Sequence, residues 1–250
     1  RVSSAETPKK KPRLGVFFDN ANLFYAQRDA GWTIDVIAMK RALAEQFDIA
    51  FFNYYRAVPV EGDAARASAL AFMDRIRREV TFRTKPLKYI QTKNGMKKKG
   101  DMDVEIALDV SEKIDDIDVA LVISGDSDLL SLRTHAIKRG KKIVFVGFRR
   151  NMAWELTKFT KYLYLDEYKS TLGMHTKTNS KPELGVALVR LLYSRPPSVS
   201  SGGVWKKVVA LKEGMPIAVR SNTGKPMWDS IVKIRQLPPE QVWDIEVEGT

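Results

Sequence analysis

The chain has 250 residues, enough for one large or two modest domains, and its 44% hydrophobic content is enough to form a buried core. Lysine and arginine outnumber aspartate and glutamate by 42 to 30, and the formal charge of +12 favours a polyanionic partner, nucleic acid before a membrane surface. The chain has no cysteine, which excludes disulfides, thiolate metal sites and a cysteine nucleophile.

No apolar run is long enough to span a bilayer, and no segment resembles a cleavable signal sequence. We therefore expect no membrane partner. The lack of cysteine fits a cytoplasmic protein.

The first segments are a basic arm and a short strand. Residues 1–12 are polar and contain a run of three lysines, which predicts a disordered arm. Residues 14–18 are an apolar run of strand length that ends at Asp19. Asn22 follows, and two roles are open for it: capping the next helix, or orienting a ligand with its amide.

The next elements alternate between helix and strand. Helical spacing predicts a helix over residues 35–47, and aromatic and β-branched residues predict a strand over 49–55. An amphipathic helix is predicted over residues 64–80. The residues expected on its inward face are Leu70, Met73 and Ile76.

A basic stretch covers residues 83–99 around an Asn-Gly pair that suggests a turn. Such a run is usually solvated, but this one ends at an acidic helix start, so we also consider phosphate contacts. The lysines expected to make them are Lys85, Lys88, Lys93, Lys97, Lys98 and Lys99. Arg149 and Arg150 follow a later strand, where a phosphate contact and a plain solvated loop are equally open.

The acidic helix start is at residues 101–110. Asp101 is placed to cap the helix, and Asp103 lies in the first turn, where the helix dipole favours an anion. Glu105 and Asp109 share a face without an evident counter-charge, so they form either a solvated flank or part of a site. The face expected against the sheet consists of Val104, Ala107, Leu108 and Ser111.

A fully apolar strand is predicted at Val119–Ile123, followed by Asp126 and Asp128. One of these acids can cap the helix predicted over residues 129–139, but one cap needs only one acid. Asp126 is the expected ligand, and Asp128, nearer the helix, is the acid expected to serve partly as a cap. A further strand at 144–147 and a helix at 153–158 continue the alternation.

Strand–helix alternation predicts an α/β fold with parallel strands, whose carboxyl ends meet at one edge. Four acids would then come together: Asp19, Asp103, Asp126 and Asp128. Two bare carboxylates about 4 Å apart repel by roughly 4 kcal/mol at an effective dielectric constant near 20, so the cluster needs a cation. Oxygen ligands suit Mg²⁺ or Mn²⁺, which can activate a water for phosphodiester hydrolysis.

Three runs, FFDNAN (17–22), KGDMD (99–103, with Asp109 six residues on) and SGDSD (124–128), resemble the signature motifs of the NYN domain, a branch of the PIN-like nuclease superfamily. The resemblance covers residues 13–169 and implies a three-layer α/β/α fold. It implies a divalent-metal-dependent endoribonuclease in which the four acids are catalytic metal ligands, supported by Asn22. Asp101 is an extra acid relative to the simplest family pattern.

The same resemblance implies RNA, expected to be single-stranded, as the partner. The alternative is a catalytically inactive RNA-binding or scaffold protein, since many family members have no demonstrated activity. The oligomeric state is open, a homodimer included.

The character of the chain changes after residue 169. Residues 170–199 are predicted to be a linker, with an unplaced apolar helix or strand at 183–193. Residues 200–250 show the period-two patterning of a small β module. They resemble part of a Hint (hedgehog/intein) domain, but the region has no cysteine or histidine, so we expect an incomplete fragment without autoprocessing.

Overall fold

The computed structural model describes residues 10–93, 95–174, 184–193, 212–220, 226–235 and 244–247. Most of the predicted basic arm lies outside this part, as do Asn94 of the predicted turn and the strand-like residues 203–208. The chain divides into two compact units, Arg1–Tyr193 and Ser194–Thr250.

The first unit contains eight strands in its described residues. In chain order they are β1 (Arg13–Asp19), β2 (Asp48–Val58), β3 (Thr81–Pro86), β4 (Lys88–Thr92), β5 (Gly95–Lys99), β6 (Val119–Ile123), β7 (Lys142–Gly147) and β8 (Tyr162–Tyr164).

The α-helices described in this unit are α1 (Asn20–Ala30), α2 (Val36–Ala44), α3 (Arg66–Ile76), α4 (Asp103–Lys113), α5 (Ser131–Lys138), α6 (Trp154–Phe159), α7 (Lys169–Leu172) and α8 (Leu184–Tyr193). Short 3-10 turns occupy Ile114–Asp116, Ser127–Leu129, Arg149–Asn151 and Leu165–Tyr168.

Six strands form one parallel sheet in the order β3-β2-β1-β6-β7-β8. The central strands are buried on both faces, which explains why residues 119–123 are apolar without alternation. Strands β4 and β5 form a separate antiparallel hairpin.

The sheet separates two apolar cores, and successive residues of a strand enter opposite ones. In β1, Phe18 faces the core formed with α1, α2, α3 and α8, whereas Phe17 faces the core formed with α4, α5 and α6. The predicted three-layer α/β/α fold is therefore confirmed.

Two predicted helix faces were wrong. Val104 and Leu108 of α4 are 68% and 58% exposed. The buried stripe is formed instead by Met102, Ile106, Val110 and Ile114. This longer stripe repeats every four residues and continues past the helix end, so it buries more apolar surface than the predicted one. In α3, Leu70 is exposed and Met73 is half-buried, while Ile76 is buried as predicted.

The predicted linker, residues 170–199, contains a helix that belongs to the first unit. Leu184, Leu188 and Leu192 of α8 are buried in the core beside α2. Gly185 makes the close approach possible, because a Cβ there would collide with the carbonyl oxygen of Ala42.

The described strands of the second unit are β9 (Pro216–Arg220), β10 (Pro226–Arg235) and β11 (Asp244–Val247). They form an antiparallel sheet in the order β11-β10-β9, as expected for a small all-β segment. In the described parts of the chain, no helix combines the length and the apolar character that a bilayer crossing requires.

Candidate active site

The site lies where β1 and β6, parallel neighbours, end at the same edge of the sheet. Asp19 is the last residue of β1 and is buried. One carboxylate oxygen accepts a hydrogen bond from the Asn22 backbone N–H at 3.1 Å, which makes Asp19 the N-cap of α1. The other oxygen accepts from the Ser124 hydroxyl at 2.9 Å.

Of the two roles left open for Asn22, capping the helix is wrong, whereas orienting a ligand with its amide stays a prediction, since Asn22 lines the cleft described below. Asp19 is the cap, and the Asn22 side-chain oxygen accepts from the Gly125 N–H at 3.0 Å. Asn22 therefore ties the loop after β1 to the loop after β6. Gly125 cannot carry a side chain, because a Cβ would collide with the backbone carbonyl of Asn151.

Three acids converge beside these loops. Asp103, Asp126 and Asp128 each offer a carboxylate oxygen, and the three oxygens lie within 4.8 Å of one another. Asp126 also caps the turn Ser127–Leu129 by accepting from the Asp128 N–H at 2.9 Å. The prediction that Asp128 is the partial cap was wrong, because the turn begins at Ser127, two residues before the predicted helix start.

Asp101 was predicted to cap α4, and this prediction was wrong. The helix begins at Asp103, and Met102 occupies the cap position without a side-chain hydrogen bond. The Asp101 carboxylate instead lies 3.1 Å from the Lys99 ammonium. The apolar stripe explains this outcome, since burying Met102 turns Asp101 outward to the cleft rim.

Two of the acids, Asp19 and Asp103, have raised pKa values. Burial, and then the charges of Asp126, Asp101 and Asp128, raise the pKa of Asp103. Burial raises the pKa of Asp19 to about 6, with a further contribution from Asp103, although the hydrogen bonds from Asn22 and Ser124 act in the opposite direction. Repulsion of this kind favours a bound cation.

The donor set fits a hard divalent ion. Three carboxylate oxygens at this separation are the ligand type that Mg²⁺ and Mn²⁺ prefer. Asp19 adjoins the three-acid cluster without belonging to it. Each of its oxygens accepts one hydrogen bond and keeps a further lone pair, so its role as a ligand stays a prediction. The four acids predicted together are thus three converging carboxylates and one neighbour.

Asp19, Asp103 and Asp126 line a cleft of about 780 Å³. Its rim contains basic and aromatic side chains on α1, β2 and the β4–β5 hairpin. The lining residues with charged, amide or aromatic side chains are Asp19, Asn20, Asn22, Phe24, Tyr25, Arg56, Lys97, Lys98, Lys99, Asp101, Asp103 and Asp126.

The predicted phosphate-contacting residues divide between the cleft and other surfaces. Lys97, Lys98 and Lys99 line the cleft. The other predicted residues are outside the described lining of the cleft. They are Lys85, Lys88, Lys93, Arg149 and Arg150.

Several of these cations already have partners. Lys85 binds Glu105 at 2.8 Å, so Glu105 is compensated, contrary to the prediction. Arg149 lies 3.2 Å from Glu167 and stacks on Tyr164.

Asp109 is a half-buried structural acid whose charge is compensated. Its carboxylate accepts from the Tyr55 hydroxyl at 2.7 Å and from the Asn53 amide at 2.9 Å. It also lies 2.9 Å from the Arg83 guanidinium and 2.8 Å from the Lys113 ammonium. Burial alone raises its pKa, but the bonds from Lys113, Tyr55 and Arg83 hold the pKa below its usual range. This network joins α4 to β2 and β3 and so fixes the position of Asp103.

Sequence reasoning missed the cleft residues Arg56, Phe24 and Tyr25, and the bridging role of Ser124. Phe24 and Tyr25 follow the FFDNAN run closely, and two adjacent aromatics that do not fit the inward stripe of a helix were the available signal.

Comparison with known proteins agrees with this architecture. The NYN domain family model matches residues 13–166. The protein LabA (low amplitude and bright) of Synechococcus elongatus is 28% identical over 165 residues, which are 63% of this chain and 86% of that protein.

A Vibrio parahaemolyticus protein of unknown function, VPA0982, shares the fold at a TM-score of 0.53 and 23% identity, covering 67% of this chain and 99% of that one. The family match ends before residue 200, so the Hint-like resemblance of residues 200–250 gains no support from it.

Replacing Asp109 with alanine should destabilise the protein by about 2–4 kcal/mol, because it leaves the Tyr55 and Asn53 groups buried without their acceptor. Urea denaturation measures the change. Asp115→Ala is the matched control: Asp115 is 67% exposed and pairs with Arg139, so its loss should cost less than about 1 kcal/mol. Equal effects of the two substitutions would contradict a structural role for Asp109.

Replacing Asp19 with asparagine should stabilise the protein in EDTA by about 3 kcal/mol at pH 7.5, because the buried charge is removed. The folded pKa of about 6 lies above the ordinary 3.8, so the cost of ionised Asp19 decreases as the pH falls through 6. At pH 5 the difference in unfolding free energy between the variant and the wild type should be about half as large as at pH 7.5. Urea denaturation of both proteins at the two pH values tests this, and parallel pH profiles would exclude it.

Proposed function

Because the chain belongs to the NYN domain family, which generally comprises nucleases, we propose that it is a divalent-metal-dependent endoribonuclease. The observation that carries the proposal is the convergence of Asp103, Asp126 and Asp128, the first two of which line a cleft that Lys97, Lys98 and Lys99 also line. Three acids held against their own repulsion are costly to the fold, and a catalytic cation accounts for that cost.

Asp103, Asp126 and Asp128 would hold Mg²⁺ or Mn²⁺. When bound, such an ion supplies a water of lowered pKa as nucleophile and neutralises charge on a phosphate. Asp126 is held in place because its oxygen accepts from the Asp128 N–H. Asp19 keeps the edge of the site rigid through Ser124, and Asn22 does so through Gly125.

The β4–β5 hairpin positions the RNA backbone. Lys97, Lys98 and Lys99 are consecutive on β5 and line the same cleft as the acids. Their ammonium groups attract phosphates toward carboxylates that would otherwise repel them. RNA as the nucleic acid, and a cytoplasmic location, rest on the family and on composition.

Asp126→Asn should lower cleavage of a labelled single-stranded RNA by at least the roughly 10- to 100-fold that changes beside a metal site cost. Asparagine still accepts the hydrogen bond from the Asp128 N–H, so the fold is kept and only the charge is lost. The measurement is a titration with Mg²⁺ and with Mn²⁺, followed on gels.

Asp115→Asn is the control for that titration, since Asp115 is an exposed acid that pairs with Arg139. It should cleave like the wild type. If wild type cleaves with neither metal and still binds RNA, the alternative of an inactive RNA-binding protein replaces the nuclease.

Lys97→Gln should weaken binding of single-stranded RNA and reduce the slope of log K against log salt by about 0.7, the value for one lost phosphate contact. Lys88→Gln is the matched control, because Lys88 lies on the same hairpin but is outside the described cleft lining. Fluorescence anisotropy between 50 and 200 mM salt, about the range over which such contacts weaken, measures both. Equal slopes for the two variants would show that the hairpin does not contact phosphate through the cleft.

A further inference from the structure

Two large aromatic side chains that line the cleft are exposed to solvent. Phe24 and Tyr25 of α1 are each 52% exposed, and both line the cleft that holds the acids. Adjacent helix residues point about 100° apart, so both can face one cleft only if the cleft lies against the helix face between them. Ala21, one turn earlier on that face, also lines it.

Neither aromatic serves the core. The buried residues of α1 are Asn20, Leu23 and Ala26. Phe24 and Tyr25 instead contact each other edge to face, with ring centroids 5.4 Å apart, and the Arg28 guanidinium lies 5.2 Å from the Tyr25 ring. Exposed apolar surface of this kind beside a polar site is typical of a binding surface.

Their distance from the acids limits what they can contact. Tyr25 follows Asp19 by six residues along the helix, a rise of about 9 Å. A group stacked there belongs to the nucleotide at the scissile phosphate or to one next to it. Tyr25 and Lys98 line the same cleft, so a group bound there can meet both an aromatic ring and an ammonium group.

We propose that Phe24 and Tyr25 form a stacking platform for an unpaired base, which makes the cleft selective for single-stranded over double-stranded RNA. The inference rests on the proposed function for the identity of the strand. A base in a duplex has both faces covered by its neighbours and cannot stack on a side chain, whereas a base in a single strand can.

Charge complementarity selects a nucleic acid as the occupant. An aromatic pair alone would also suit an apolar peptide, but Lys97, Lys98, Lys99 and Arg56 line the same cleft. A cleft lined by both aromatic rings and phosphate-binding cations suits a single strand, which offers bases and phosphates together. Because every base has a π face, the platform should be tolerant of sequence.

The test uses the full chain and an oligouridylate strand with one 2-aminopurine, a base whose fluorescence is quenched by stacking. Affinity and quenching are measured in EDTA for wild type, Phe24→Leu, Tyr25→Leu and Tyr25→Phe. Each leucine variant should bind about tenfold more weakly and lose quenching, while Tyr25→Phe should keep both. Wild type should bind the strand at least tenfold more tightly than the same strand in a duplex.

Trp154→Leu is the matched control, because Trp154 is an exposed aromatic outside the described cleft lining. It should behave as wild type. If the leucine variants keep both affinity and quenching, or if wild type binds duplex equally well, the platform is overturned.

A parallel cleavage assay with Mg²⁺ or Mn²⁺ separates this failure from failure of the nuclease. Cleavage by wild type with unaffected leucine variants overturns the platform alone. Quenched, ring-dependent binding without cleavage supports the platform and overturns the nuclease. A wild type that neither binds nor cleaves overturns both.

Discussion

Electrostatic repulsion among carboxylates at one edge of a parallel sheet is the constraint on which the site depends. Asp19, Asp103 and Asp126 line one cleft, and mutual repulsion adds to burial in raising the pKa of Asp103. The fold offsets part of the cost of this repulsion in two ways. Asp19 accepts two hydrogen bonds, and the positive ends of helices α1 and α4 point toward the acids. The remainder is the driving force for binding a cation.

Holding repelling groups together requires rigid supports, and these lie just outside the cluster. The Asp109 network fixes α4 against β2 and β3, and so fixes Asp103. Asn22 joins the loops after β1 and β6 through Gly125, whose missing side chain lets the loop at Asn151 approach. Each support is a contact between residues distant in sequence, so the site exists only in the folded chain.

This difference in sequence distance explains what could be predicted. Apolar runs are local, so the strands at residues 14–18 and Val119–Ile123 were predicted, and parallel order then placed Asp19 and Asp126 at one edge. The buried face of a helix was harder to predict. Helix α4 carries two apolar stripes, and only packing against the sheet decides which of them is buried. The pairing of Lys85 with Glu105 and the bridge from Ser124 to Asp19 have no local signal at all.

The distribution of partners also changes what the formal charge of +12 means for binding. Lys98 pairs with Asp63, and Lys99 with Asp101, so two of the three cleft lysines are partly neutralised at the rim. Lys97 has no carboxylate within ion-pair distance in the described part of the chain, so of the three cleft lysines it has the most to gain from a phosphate. A strand entering the cleft must therefore compete with Asp63 and Asp101 for the other two. Affinity from charge alone is accordingly smaller than the composition suggests, and the aromatic pair on α1 supplies an attraction that the rim acids do not oppose.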